Sequence, residues 1–146
     1  MTMQQIYICA EHCGINLKKY LIQNSTLPII DLYEVEDQDD DYPDVAKIMA
    51  QKLMNEPDSF GIVICGSGQG IAMAINRSNF VRCAVPRNEQ EAMTTRDHNN
   101  ANCISFGAQN IDKNEAIKII LAFVNTPFSS LERHGRRVKK LSQKID

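Results

Sequence analysis

"FGIVICGSGQGIAM" (60–73) runs six residues of mostly apolar chain, 60–65, into three glycines within the five positions 66–70, with Cys65 at the junction. An apolar run of this length, stopped by a turn signal and followed by apolar residues at helical spacing, reads as a strand buried on both faces and then a helix. Short β-rich runs recur at "IYICA" (6–10), "PIIDLY" (28–33), "VRCAV" (81–85) and "NCISFG" (102–107). The segments between them, "NLKKYLIQ", "VAKIMAQKLM", "IAMAIN", "NEQEAMTTRDH" and "NEAIKIILAFV", space their apolar residues as helices do, and Pro43 suits a helix's first turn. This rhythm predicts an α/β, Rossmann-like three-layer sandwich: a mainly parallel five-stranded sheet with helices on both faces, plus a C-terminal helix. Right-handed crossovers limit the strand orders, and 2-1-3-4-5 is the one expected.

The 146 residues suit one domain, 1–146, with no internal repeat or linker. A net charge of -2 gives no general reason to expect nucleic acid or an anionic membrane as partner. The five cysteines at 9, 13, 65, 83 and 103 form no Cys-x-x-Cys pair, which points away from a disulfide framework or zinc ribbon and toward a reducing, cytoplasmic setting. No stretch approaches the ~20 apolar residues of a membrane span, and no basic segment leads into a long apolar run. A soluble, unexported chain is expected.

In a sheet of this order, ligands bind beyond the carboxyl ends of the strands where the order reverses. "AEHCG" (10–14) and "CGSGQG" (65–70) converge there. Gly66, Gly68 and Gly70 let the backbone turn tightly and aim several N–H groups at one point beside a helix N-terminus, which makes a site for a phosphate or an enediolate oxygen. Cys65 lies beside that site, where a positive field favours the thiolate as base or nucleophile. The same position also suits a packed small hydrophobe. The spacing G-x-G-x-G at the third strand is neither a dinucleotide fingerprint nor a P-loop. The acidic run "EVEDQDDDYPD" (34–44) lacks the glycine and glutamate of a calcium-binding EF-hand loop and reads as a solvated loop.

"GIVICGSGQGIAMAINR" resembles the glycine-loop segment of the type B ribose 5-phosphate isomerases, relatives of the galactose 6-phosphate isomerases. Further blocks follow in the same order. "AEHCGINLK" resembles the family's Asp-His-x-Gly-x-x-Leu-Lys start, "DYPDVA" its Asp-Tyr-Pro segment, and "RDHNNANCISFGA" its Arg-Glu-His-Asn-x-Ala-Asn block. "TPFSSLERHGRRVKKL" is similar to its C-terminal Arg-His-x-x-Arg-Val stretch, and the resemblance spans residues 6–141.

The resemblance implies an aldose–ketose isomerase acting on a sugar phosphate without metal or other cofactor, through an enediolate. Cys65 matches the family's base, with Ser67 and the N–H groups of Gly66, Gly68, Gln69 and Gly70 around the enediolate. His98 matches the histidine that assists ring opening, and Asn99 its sugar-binding neighbour. Glu11 and Tyr42 map to sugar-contacting positions; His12, Arg133 and Arg137 map to phosphate-side positions. His98 and Asn99 reach the site from a second subunit in this family, so a homodimer or tetramer with shared sites is implied. Arg133 and Arg137 also stand four apart, which on one helix points both at one phosphate, although a basic run also suits a solvated helix face. His134 reads as a surface or packing residue, and Cys9, Cys13, Cys83 and Cys103 as core fillers.

Two positions depart from the family pattern: Glu11 replaces its usual aspartate, and Gln109 stands where many members carry a phosphate-binding arginine. Allose or galactose 6-phosphate are therefore alternative substrates. Two other classes fit parts of the chain. "IYICAEHCG" also looks like a phosphocysteine sugar-transport carrier using Cys9, and the predicted sheet suits a binding module without catalysis.

Overall fold

A computed structural model describes residues 4–143 and 145. Its elements follow in chain order: β1 (Ile6–Ala10), α1 (Ile15–Asn24), β2 (Ile30–Asp31), α2 (Tyr42–Asn55), β3 (Phe60–Cys65), α3 (Gln69–Ile75), β4 (Cys83–Ala84), α4 (Glu89–Asn99), β5 (Cys103–Gly107), α5 (Lys113–Asn125) and α6 (Glu132–Leu141). A 3-10 turn, His12–Gly14, joins β1 to α1. All five strands form one parallel sheet. β1, β3 and β5 are buried throughout and pair in register, with Ile8 opposite Ile62 and Ile62 opposite Ile104.

Alternation along these strands divides the core into two halves. Ile6, Ile8, Ala10, Ile62, Ile64, Ile104 and Phe106 pack with Leu21 of α1, Ala92 of α4 and Ile119 and Phe123 of α5. Tyr7, Cys9, Val63, Cys65 and Cys103 pack with Val45, Met49 and Leu53 of α2 and Ile71 and Ile75 of α3. The three expected layers are present.

The expected strand order needs one correction: the sheet runs β2-β1-β3-β5-β4, with the last two strands exchanged. A right-handed crossover places its helix on one face when the chain steps one way along the sheet and on the other when it steps back. Because β4 skips outward and β5 returns inside it, α4 lands beside α5 on the α1 face, where both bury apolar residues. In the order 2-1-3-4-5, α4 would crowd α2 and α3. The strands agree: "CISFG" is buried throughout and central, whereas β4 is two half-buried residues at the edge, shorter than "VRCAV" suggested. β2 is likewise reduced to two exposed residues at the opposite edge.

Arg96 fastens the end of α4. Its guanidinium donates to Ala101 O (2.7 Å), Asn100 Oδ1 (2.9 Å) and Thr126 O (3.2 Å) and lies 5.0 Å from the Phe60 ring centroid. Among the described residues, no helix is long and apolar enough to cross a membrane.

Candidate active site

Cys65 ends β3 with its side chain packed on the α2 and α3 side and 5% of the residue exposed. The chain then reverses through Gly66–Gly68 into α3. Gly68 makes the reversal at φ +79°, and its N–H points back at Cys65 Sγ, 3.2 Å away. A side chain is excluded there twice over, since a Cβ on Gly68 would lie 2.8 Å from Gly107 N and one on Gly107 2.4 Å from Ser67 O. The β5 end therefore presses directly on the loop. Ser105, fully buried on β5, locks it by donating from Oγ to Gly68 O at 2.6 Å, and the N–H groups of Ala108 and Gln109 donate to Cys65 O and Gly66 O at 2.9 and 3.0 Å. Ser67 Oγ accepts the Gln69 N–H at 3.2 Å, which fixes the start of α3.

Around this loop stand the β1 turn and the start of α2. The Tyr42 ring lies over Gly70, so close that a Cβ there would sit 2.7 Å from its Cζ. Glu11, 5% exposed, donates its N–H to Ile64 O and accepts the Cys13 N–H on Oε1 at 2.8 Å. His12 is gripped from two sides: Nδ1 lies 2.7 Å from Asp40 Oδ1 and 3.1 Å from Glu11 Oε2, and its backbone N–H donates to Asp40 at 2.9 Å. The hydrogen bond to Asp40 raises the His12 pKa. Burial works against the Asp40 carboxylate, but the His12 backbone and ring donors and the Tyr33 hydroxyl outweigh it and hold its pKa below the usual value. A cleft of about 360 Å³ opens beside the loop, lined by Ser67, Gln69, Arg87 and Asn110 among others. A larger one, about 650 Å³, lies between α1 and the β2 edge, away from Cys65 and the glycines.

Of the residues singled out from the sequence, Glu11, His12, Tyr42, Cys65, Gly66, Ser67, Gly68, Gln69 and Gly70 thus gather at the carboxyl end of the sheet. His98, Asn99, Arg133 and Arg137 do not join them. α4 begins after the carboxyl end of β4 and runs back, so His98 and Asn99 fall just before β5, whose first residue, Cys103, pairs with Gly61 near the start of β3. Gly61 lies about 13 Å from Cys65, at ~3.3 Å per strand residue. α6 packs on α4, and the His134 ring stacks on His98 with centroids 4.5 Å apart, so Arg133 and Arg137 belong to the same distant group.

Several sequence readings change. Asp40 lies in the stretch read as a solvated acidic loop, yet its side chain is 8% exposed and holds His12. No spacing signalled it; its place just beyond β2, on the ligand side of the sheet, was the available clue. His134, read as a surface or packing residue, is the packing kind at 5% exposed, and its Nδ1 has no hydrogen-bond partner. Cys13 is exposed, not a core filler, because the 3-10 turn points it away from the sheet. Cys9 is 0% exposed, and burial, with the Asp31 carboxylate nearby, pushes its thiol up to about 12. A phosphoacceptor must be both accessible and ionisable, so the carrier reading fails.

The Ribose/Galactose Isomerase family model matches residues 6–141. The chain is 37% identical over 147 residues to the ribose-5-phosphate isomerase B of Mycobacterium tuberculosis, covering 98% of this chain and 91% of that one. The crystal structure of ribose-5-phosphate isomerase B from Mycoplasma genitalium with bound ribulose-5-phosphate superposes with a TM-score of 0.87 at 33% identity, over 97% and 96% of the two chains. The ribose 5-phosphate isomerase of Thermotoga maritima also gives 0.87, at 30% identity over 97% and 99%. With the family model matching residues 6–141 and the fold superposing on these relatives over nearly the full length, the chain belongs to the ribose/galactose isomerase family.

Proposed function

We propose that this chain interconverts ribose 5-phosphate and ribulose 5-phosphate, the sugar-phosphate isomerisation of the pentose phosphate pathway, with Cys65 as the proton-transferring base. The observation that carries this reading is the Cys65 thiol facing a rigid turn of backbone N–H groups, one of which already donates to its sulfur. The open-chain aldose loses its C2 proton to the Cys65 thiolate, electrons shift to the C1 oxygen, and the enediolate forms. The proton then returns to C1 while the C2 hydroxyl proton passes to the C1 oxygen, so that C2 becomes the carbonyl and C1 the alcohol. This is general acid–base catalysis. The N–H groups of Gly66 and Gly70, with the Ser67 hydroxyl, face the developing oxyanion, while those of Gly68 and Gln69 hold the Cys65 sulfur and the Ser67 hydroxyl in place, and donors aimed beforehand need little reorganisation as charge appears. Tyr42 and Glu11 contact the sugar, and His12 stands on the phosphate side.

The remaining groups come from a second copy. His98 opens the sugar ring, Asn99 binds beside it, and Arg133 and Arg137 clamp the phosphate. Their position at the opposite end of the sheet supports a homodimer with two shared sites, each chain lending its amino-end group to the partner's cysteine. Exposed Met73, Phe80, Met93 and Leu131 offer apolar surface for that contact. The single domain works in the cytoplasm, where a free thiol persists.

The test is turnover of ribose 5-phosphate in deuterated water. The wild type should form ribulose 5-phosphate with solvent deuterium incorporated at C1, and kcat/KM should exceed that for allose and galactose 6-phosphates. Cys65→Ala should abolish turnover while sugar-phosphate affinity stays within about tenfold, since the base acts in the transition state whereas phosphate contacts act throughout. Full activity in Cys65→Ala would remove Cys65 from the mechanism.

A further inference from the structure

We infer that Glu11, His12 and Cys13 form a binding site for one thiophilic divalent cation of the zinc class at the mouth of the active site, and that an occupied site excludes the sugar phosphate. The three side chains offer a carboxylate oxygen, an imidazole nitrogen and a sulfur, all within 4.8 Å of one another. These are the donor types that Zn2+ prefers, and a tetrahedral ion leaves its fourth position to water.

The local geometry favours a cation here. The 3-10 turn brings consecutive residues to one side, with Glu11 Oε1 pinned by the Cys13 N–H at 2.8 Å, so the ligands are largely preorganised. A second carboxylate, Asp40, takes up His12 Nδ1 and is itself held by the Tyr33 hydroxyl at 2.8 Å, which leaves Nε2 as the ring nitrogen for a cation, with Asp40 orienting the ring from the other side. Two carboxylates with side chains only 6% and 8% exposed thus converge on one imidazole, leaving negative charge for a cation to offset. Cys13 supplies the soft ligand. It is exposed, so the site is reached without unfolding anything.

Binding releases the thiol proton of Cys13, and the ring proton of His12 where it is present, to solvent; no electron is transferred. The excluding effect rests on the proposed sugar-phosphate site, because Glu11 and His12 are among its contacts. The cation site itself does not.

Titration of the metal-free protein with Co2+, a spectroscopic substitute for Zn2+, tests the assignment. One equivalent per chain should give a thiolate-to-cobalt charge-transfer band in the near ultraviolet. The band should persist in Cys65→Ala, vanish in Cys13→Ala, and be suppressed by ribose 5-phosphate. Zn2+ should raise the apparent KM with kcat unchanged, and Cys13→Ala should need about tenfold or more Zn2+ for the same inhibition. Cys13→Ala removes an exposed side chain, so its fold is not at stake. Absence of the band in the wild type, or its survival in Cys13→Ala, overturns the site. A metal-free enzyme that fails to turn over ribose 5-phosphate while the cobalt band behaves as stated overturns the isomerase reading alone.

Discussion

Gly68 concentrates the backbone demands of the site. It holds a positive φ, donates to the Cys65 sulfur and lies against β5, so an alanine there meets backbone atoms that cannot move aside. Gly68→Ala should cost about 1–3 kcal/mol in urea unfolding, the range for a strained backbone with a steric clash, and should lower kcat more than it raises KM. Gln109 makes the opposite experiment. Its side-chain amide lies over Gly66, where a Cβ would be 3.3 Å from Nε2, and Arg87, a cation lining the cleft, is already paired with Glu91 at 2.7 Å. Gln109→Arg should therefore lower KM with little change in kcat, by about 1–3 kcal/mol of binding, the range of charge-assisted hydrogen bonds. An unchanged or higher KM in the folded variant would mean that position 109 does not face the phosphate. Cys65 and the glycines were legible in the sequence because their chemistry depends on adjacent residues. Asp40 was not, since its role comes from a fold that brings it to His12 across 28 positions of chain.

Helices set which face each group occupies, and α4 shows both the reach and the limit of sequence reading. Its existence and span follow from Asn88 capping the Glu91 N–H at 2.8 Å and from the apolar spacing after it. Its side of the sheet depends on the strand order, which periodicity does not encode. The buried run of β5 against the short half-polar β4 was the usable signal for exchanging them. The stacked pair His98 and His134 joins α4 to α6 and yields a pH prediction. Burial, then the neighbouring His98 and Arg133, lower the His134 pKa. The unfolded chain, with an ordinary histidine near ~6.5, then binds more protons than the folded one below that pH, so stability falls as pH drops from ~6.5 through the folded value. The raised pKa of His12 acts in the opposite direction, adding stability that is complete below ~6.5 and lost as pH rises through its folded value. His134→Phe isolates the first effect: its urea midpoint should fall less than the wild type's between pH 7 and about 5. Equal declines would mean that His134 titrates normally.

At the scale of the molecule, the residues of the proposed site fall in two groups at opposite ends of the sheet. Cys65, the glycine loop and His12 sit at the carboxyl ends of the strands; His98, Arg133 and Arg137 sit with the amino ends. Strand length keeps them apart, and the Arg96 contacts fasten the end of α4 in place. Only a second copy, related by a two-fold axis, completes the proposed site, and then each dimer holds two. Cys65→Ala and His98→Ala should each be inactive, but in a hybrid dimer one site loses both groups while the other keeps both. Unfolding the two variants together and refolding them should recover about a quarter of wild-type activity, because random pairing makes half of the dimers hybrid and each hybrid has one intact site of two. Differently tagged chains, purified for hybrids, should reach about half. Activity that stays at the level of the separate variants in verified hybrids would mean that the two half-sites do not meet across a subunit boundary.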